Sequence, residues 1–139
     1  MNTWKENFRF CQNFETSFEN GYESAAEKYF NLLWDKYGAI AEKALQTIYH
    51  QNMFGNHNVL KHVLFIVGNT SADRRANLEV IPLAGISNPD IEIQDLSVKC
   101  LEAWEDKKYL PILTNLRDKT GVLRLKNHID DVIQNLAEI

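Results

Sequence analysis

Cysteine is scarce in this chain. Cys11 and Cys100 are the only two in 139 residues, and they lie in different segments. A disulfide framework and the cysteine-rich ligand sets of structural zinc sites are thereby excluded. Both cysteines read as buried thiols of a protein in a reducing cytoplasm. Glycine occurs six times and only singly, so no Gly-rich phosphate loop, dinucleotide fingerprint or nucleophile elbow can be drawn. Positive charge is not in excess. Lys and Arg number 15 against 19 Asp and Glu, a formal net charge of −4, which argues against the basic footprint of a general nucleic-acid binder. No apolar run reaches membrane-spanning length. The opening "MNTWKENFRF" lacks the charged head and apolar stretch of a secretion signal. The expected setting is therefore cytoplasmic, with no membrane. Alternating apolar and polar runs, the mark of a half-buried strand, are missing as well.

Helical periodicity is what the sequence has instead. From Ile93 the apolar or small residues Ile93, Leu96, Ser97, Cys100, Leu101 and Trp104 recur at i, i+3, i+4, i+7, i+8 and i+11, one face of an α-helix about three turns long. Asn88 or Asp90 can cap it, with Pro89 just inside its start. Glu92, Asp95, Lys99, Glu102 and Asp106 fall on the opposite, solvated face, so these carboxylates do not converge as an acid–base pair. A second helix follows, with Asp106 as its cap, Pro111 in its first turn, and a stripe of Leu110, Leu113 and Leu116.

The stretch "DIEIQDLSVKCLEAWEDKKYLPILTNL" resembles a HEAT repeat of the short, lyase-associated type. The positions that carry the resemblance are Asp90, Ile93, Ser97, Cys100, Leu101, Trp104, Asp106, Leu110, Pro111, Leu113 and Leu116. Gln94 and Glu102 depart from it, standing where the family favours Arg and Gly. An upstream echo, "NHNVLKHVLFIVGN", sets Val59, Val63, Ile66, Val67 and Gly68 against Ile93, Ser97, Cys100, Leu101 and Glu102. It continues through a long loop "NTSADRR" into a second helix "RRANLEVIPLAGI". Residues 22–52 read as two more helices divided near Gly38. Trp4, Phe8, Cys11, Phe14 and Phe18 form one stripe near the start. Val122, Leu125, Ile129, Val132, Ile133 and Leu136 form another at the end. The resemblance implies an all-α fold of about eight antiparallel helices in a compact, right-handed, HEAT-like stack of helical hairpins. One domain is expected over 1–139, with repeat units at about 56–87 and 88–119 and capping helices at 2–19 and 121–138.

No catalytic residue set emerges. His57 and His62 are five apart, which on a helix turns them about 140° from one another. His62 reads as a half-buried packing residue, and His128, beside Asp130 and Asp131, as surface. No metal and no cofactor are expected. Charge, in contrast, is unevenly spread. Residues 90–106 carry Asp90, Glu92, Asp95, Glu102, Glu105 and Asp106 against Lys99 alone. Residues 107–126 carry Lys107, Lys108, Arg117, Lys119, Arg124 and Lys126 against Asp118 alone. Arg124 and Lys126 fall in the first turns of the last helix, where the helix dipole favours carboxylates.

These features single out Glu92, Asp95, Glu102, Asp106, Lys107 and Lys108 as partner-binding residues. Met53 and Phe54 join them as an exposed apolar pair beside Gly55, and Arg74 and Arg75 as cations on the long loop. The expected function is that of a small protein-binding module with one protein partner. Bacterial toxin-immunity proteins resemble it in size and style, and a basic, nuclease-like toxin domain would suit an acidic stripe. Two other classes compete: a HEAT-like nucleic-acid binder or DNA-glycosylase-like enzyme, and a repeat scaffold or lyase-type subunit.

Overall fold

The computed structural model describes residues 25–53, 55–70 and 72–139. The stripe expected over 2–19, with Cys11, and the side chain of Phe54 lie outside the described residues. Within them the chain forms eight α-helices, one 3₁₀ turn and no strand. The helices are α1 (Ala25–Tyr37), α2 (Ala39–Gln51), α3 (His57–Gly68), α4 (Ala72–Leu78), α5 (Val80–Ile86), α6 (Ile91–Trp104), α7 (Leu110–Lys119) and α8 (Leu123–Ala137). The 3₁₀ turn, Lys107–Tyr109, joins α6 to α7.

Local chemistry sets the boundaries. Gly38 takes φ +59°, which divides α1 from α2 where the sequence suggests a break. Asn56 caps α3, its side chain accepting from the Val59 N–H at 3.3 Å. Asp90 is the residue that caps α6. Its Oδ1 accepts from the backbone of Glu92 at 2.8 Å and of Ile93 at 3.2 Å. Asn88 instead holds the Asp90 N–H at 2.9 Å, so Pro89 precedes the cap rather than opening the helix. Asp106 caps the 3₁₀ turn through the Lys108 N–H at 2.9 Å, one step earlier than expected, and Pro111 occupies the first turn of α7.

The helix expected over "RRANLEVIPLAGI" is two helices. Pro82 has no N–H for the Leu78 carbonyl, and the chain breaks at Glu79, whose own carbonyl accepts from Leu83 at 3.3 Å. Helix α4 also begins earlier than expected, at Ala72. The loop expected over 69–75 thus shrinks, and Arg74 and Arg75 are helical rather than loop residues.

Apolar side chains from every helix but α4 and α7 contribute several members to one buried cluster, with Leu78 and Leu113 supplying those two. Helix α6 sits among α3, α5 and α8. Having neighbours on three sides, it buries Val98 as well as the expected Ile93, Ser97, Cys100, Leu101 and Trp104. In α8 the buried residues are Leu125, Ile129, Val132 and Leu136, while Val122 and Ile133 of the expected stripe are half-buried against the core. His62 is fully covered rather than half-buried.

A candidate protein-binding groove

Helix α3 is too apolar for a single core face. Val59, Leu60, Val63, Leu64, Ile66 and Val67 are all buried, which leaves Lys61, Phe65 and Gly68 toward the outside. Its neighbour α6 runs in the same direction, as successive contacts show. His57 Nδ1 meets Asp90 Oδ2 at 3.0 Å, and Lys61 pairs with Glu92. The Cys100 thiol donates to the Leu64 carbonyl at 2.9 Å, and Trp104 Nε1 donates to the Val67 carbonyl at 3.3 Å. Gly68 makes the close approach possible. A Cβ there would stand 3.3 Å from Cys100 Sγ and 3.6 Å from its Cα.

The outer surface between α3 and α6 is a groove of about 250 Å³. Leu64, Phe65, Leu96, Cys100 and Ala103 form its floor, and Asn69, Lys99 and Glu102 its rim. Glu92 and Lys61 stand beyond one end. An apolar floor inside a charged rim is the anatomy of protein–protein contact surfaces. The floor offers no reactive thiol. Burial pushes the Cys100 pKa up to about 12, only partly opposed by a backbone hydrogen bond from Gly68.

The residues expected to bind a partner are dispersed by the fold. Glu102 lines the groove, and Glu92 stands beside it. Asp95 is not on the open face: it turns to α8, where its Oδ1 meets His128 Nδ1 at 2.6 Å, and its Oδ2 lies 3.8 Å from Lys99. His128 is accordingly part-buried and engaged, not a free surface residue.

Asp106, Lys108 and Arg75 line a second cleft, of about 220 Å³, with Glu79, Trp104 and Tyr109. Its charges are largely spent internally. Lys108 Nζ lies 3.1 Å from Glu79 and 4.0 Å from Asp106. The hydrogen bond to Glu79 raises the Lys108 pKa, and burial, then Glu79, raises that of Tyr109. Arg75 donates to the Thr70 carbonyl at 3.3 Å and the Trp104 carbonyl at 3.2 Å, so it satisfies the chain just past α3 and at the end of α6 together. Lys107 is exposed and lines neither depression.

Arg74 lies elsewhere, over the Trp34 ring at 4.7 Å and 2.8 Å from Asn31 Oδ1. Met53 is half-buried rather than exposed. It lines a third, apolar cleft with Tyr49, His50 and Val80. Phe65, Asn69 and Ala103 were not singled out by sequence. The surplus apolar residue of α3, Phe65, off the stripe of Val59, Val63, Ile66 and Val67, is the signal that could have found the groove.

Among the described residues no three His, Cys, Asp or Glu side chains are grouped to hold a metal ion. None of their helices is long and apolar enough to cross a membrane. No family model matches the chain, and neither does any curated protein or solved structure.

Proposed function

We propose that this protein is a binding module, a HEAT-like helical stack that holds one protein partner in the groove between α3 and α6. The partner class that fits is a basic, nuclease-like toxin domain, which the protein neutralises as an immunity protein. The role is binding rather than turnover. The observation that carries this reading is the groove itself, with Phe65, Leu96 and Ala103 on its floor and Glu102 at its edge. The same-direction pairing of α3 with α6, at an offset close to one repeat, supports the stack.

Glu102 forms no salt bridge within the described residues. It is therefore available to a cation of the partner, whereas Asp95 is held by His128 and Lys99. A nuclease presents a cationic surface to phosphate, and carboxylates can occupy that surface in the substrate's place. Complementary charge speeds encounter, and apolar anchors in the groove slow dissociation.

The test is a pair of substitutions that leave the core alone. Ala103 is exposed on α6, so Ala103→Glu fills the groove without entering the core, and Glu102→Lys reverses its rim charge. The double variant should keep the helical circular dichroism of the wild type and bind the partner at least about tenfold more weakly, a loss of about 1.4 kcal/mol. Binding as tight as wild type removes the groove from the interface. Finding no protein partner for the wild type in a pull-down from its own cell removes the binding-module reading.

A further inference from the structure

We propose that the corner joining α7 to α8 is a second docking surface, one that takes an acidic patch on a protein. The reading is independent of the groove. Between residues 117 and 126 stand Arg117, Lys119, Arg124 and Lys126 against Asp118 alone. Arg117 is engaged, 3.3 Å from both Asp118 and Asp130. Lys119, Arg124 and Lys126 are exposed, and they form no ion pair within the described residues. Lys61, Lys99 and Lys108 behave differently, each meeting a carboxylate.

Arg124 and Lys126 also stand where the backbone disfavours them. Helix α8 has no acidic residue in its first turn, and Val122 at its start supplies no side-chain cap. The positive end of the helix dipole therefore faces Arg124 and Lys126 uncompensated. A local rule broken without internal gain points outward. Between the cations lies Leu123, 70% exposed and the most exposed large apolar side chain among the described residues. Gly121 leaves the approach open, since even a Cβ there would meet nothing within 4 Å. The result is an aliphatic knob among three free cations, carried on the end of a four-turn helix.

The kind of anionic surface follows from what surrounds the knob. Residues 110–139 contain no Phe, Tyr or Trp, so the corner has no platform for stacking bases and no aromatic anchor for a bilayer interface. An extended polyanion would also run against the rest of a chain whose net charge is −4. A protein's acidic patch is as local as the corner itself, and a shallow apolar depression within it would receive Leu123.

The probe is a short glutamate peptide, no longer than the corner itself, titrated into the isotope-labelled full chain and read by amide chemical shifts. Shifts should concentrate on residues 119–126 and vanish at about 1 M salt, where screening acts within about 3 Å. The variant Lys119→Gln, Arg124→Gln, Lys126→Gln should bind the peptide at least about tenfold more weakly. Its melting temperature should be little changed, because removing Arg124 and Lys126 relieves the N-terminus of α8 while removing Lys119 takes a favourable cation from the C-terminus of α7. If that variant folds poorly, Arg124→Gln alone is read by the same shifts. Shifts spread evenly over Lys28, Lys43 and Lys107, or undiminished binding by the variant, would overturn the proposal. Tighter binding to phosphatidylserine vesicles or to duplex DNA than to the peptide, at equal salt, would overturn it as well.

Discussion

Glu105 carries the local strain of α6. It takes φ 53° and ψ 38° at the helix C-terminus, the left-handed region that favours glycine, and its N–H returns to the Glu102 carbonyl at 3.2 Å. A side chain in that region costs roughly 1–2 kcal/mol. Glycine avoids that cost but gives up roughly 0.5–1 kcal/mol of chain entropy on folding. The Glu105 side chain is exposed and forms no salt bridge, so little is lost with it. Glu105→Gly should therefore stabilise the fold by about 0.5–1 kcal/mol, seen as a higher urea midpoint at unchanged slope. A lower midpoint would mean that the carboxylate has a role the strain argument omits. Where strain is tolerated, function is one reason to look for, and Glu105 adjoins both Glu102 of the groove and Asp106 of the second cleft.

At the scale of elements, α6 is fastened differently on each flank. Toward α3 and α8 the fastenings are polar: His57 with Asp90, Lys61 with Glu92, and His128 with Asp95. Toward α5 the contact is steric. Gly85 lies so close to α6 that a Cβ there would collide with Ser97 Oγ, stand 3.1 Å from Ser97 Cβ, and reach Tyr49 Oη at 3.4 Å. Ser97 cannot swing clear, since it is wholly buried and its hydroxyl donates to the Ile93 carbonyl at 2.7 Å. Gly85→Ala should cost about 1–3 kcal/mol by overpacking, measured by chemical denaturation. Adding Ser97→Ala should restore part of it. If Gly85→Ala is neutral, α5 and α6 can separate without penalty, and the seating of α6 does not depend on that contact.

Over the whole molecule, the core that seats these elements holds two acids that must stay neutral. Tyr49 is pushed from 10.0 to about 12, first by burial and then by Cys100. Cys100 is pushed from 9.0 to about 12 by burial. Well below pH 9 both are protonated whether the chain is folded or not, and they add no pH dependence to stability. Above it the unfolded chain releases these protons first. Stability should then fall as pH rises from about 9 toward 12, by at most about 1.4 kcal/mol per pH unit for each group. Urea midpoints measured across that range check the sign. A flat profile would mean that the two groups titrate alike in both states. The groove floor includes Cys100, so loss of the core at high pH should carry partner binding with it.

The helical content of the described residues was written in the sequence, because a 3.6-residue apolar period leaves a chain few other ways to bury its face. The stripes of Ile93 to Trp104 and Leu125 to Leu136, the break at Gly38, and the cap at Asp90 all rest on local rules of this kind. Local rules also foretold cations at the start of α8. They could not say which carboxylates of α6 remain open to a partner. Glu92, Asp95 and Glu102 look alike in sequence, yet α3 brings Lys61 to the first and α8 brings His128 to the second, and only Glu102 is left at a groove. The split at Glu79 departs from the expected single helix because a proline is tolerated only early in a helix, and Pro82 lies too far along for that. By sequence Arg75 reads as a loop cation. Its role in satisfying Thr70 and Trp104 depends on two segment ends that meet only when the chain is folded. Periodicity fixes which side of a helix is buried, but the partner of each remaining charge is set by which helix lies next to it, and that is decided by packing across 30 residues or more.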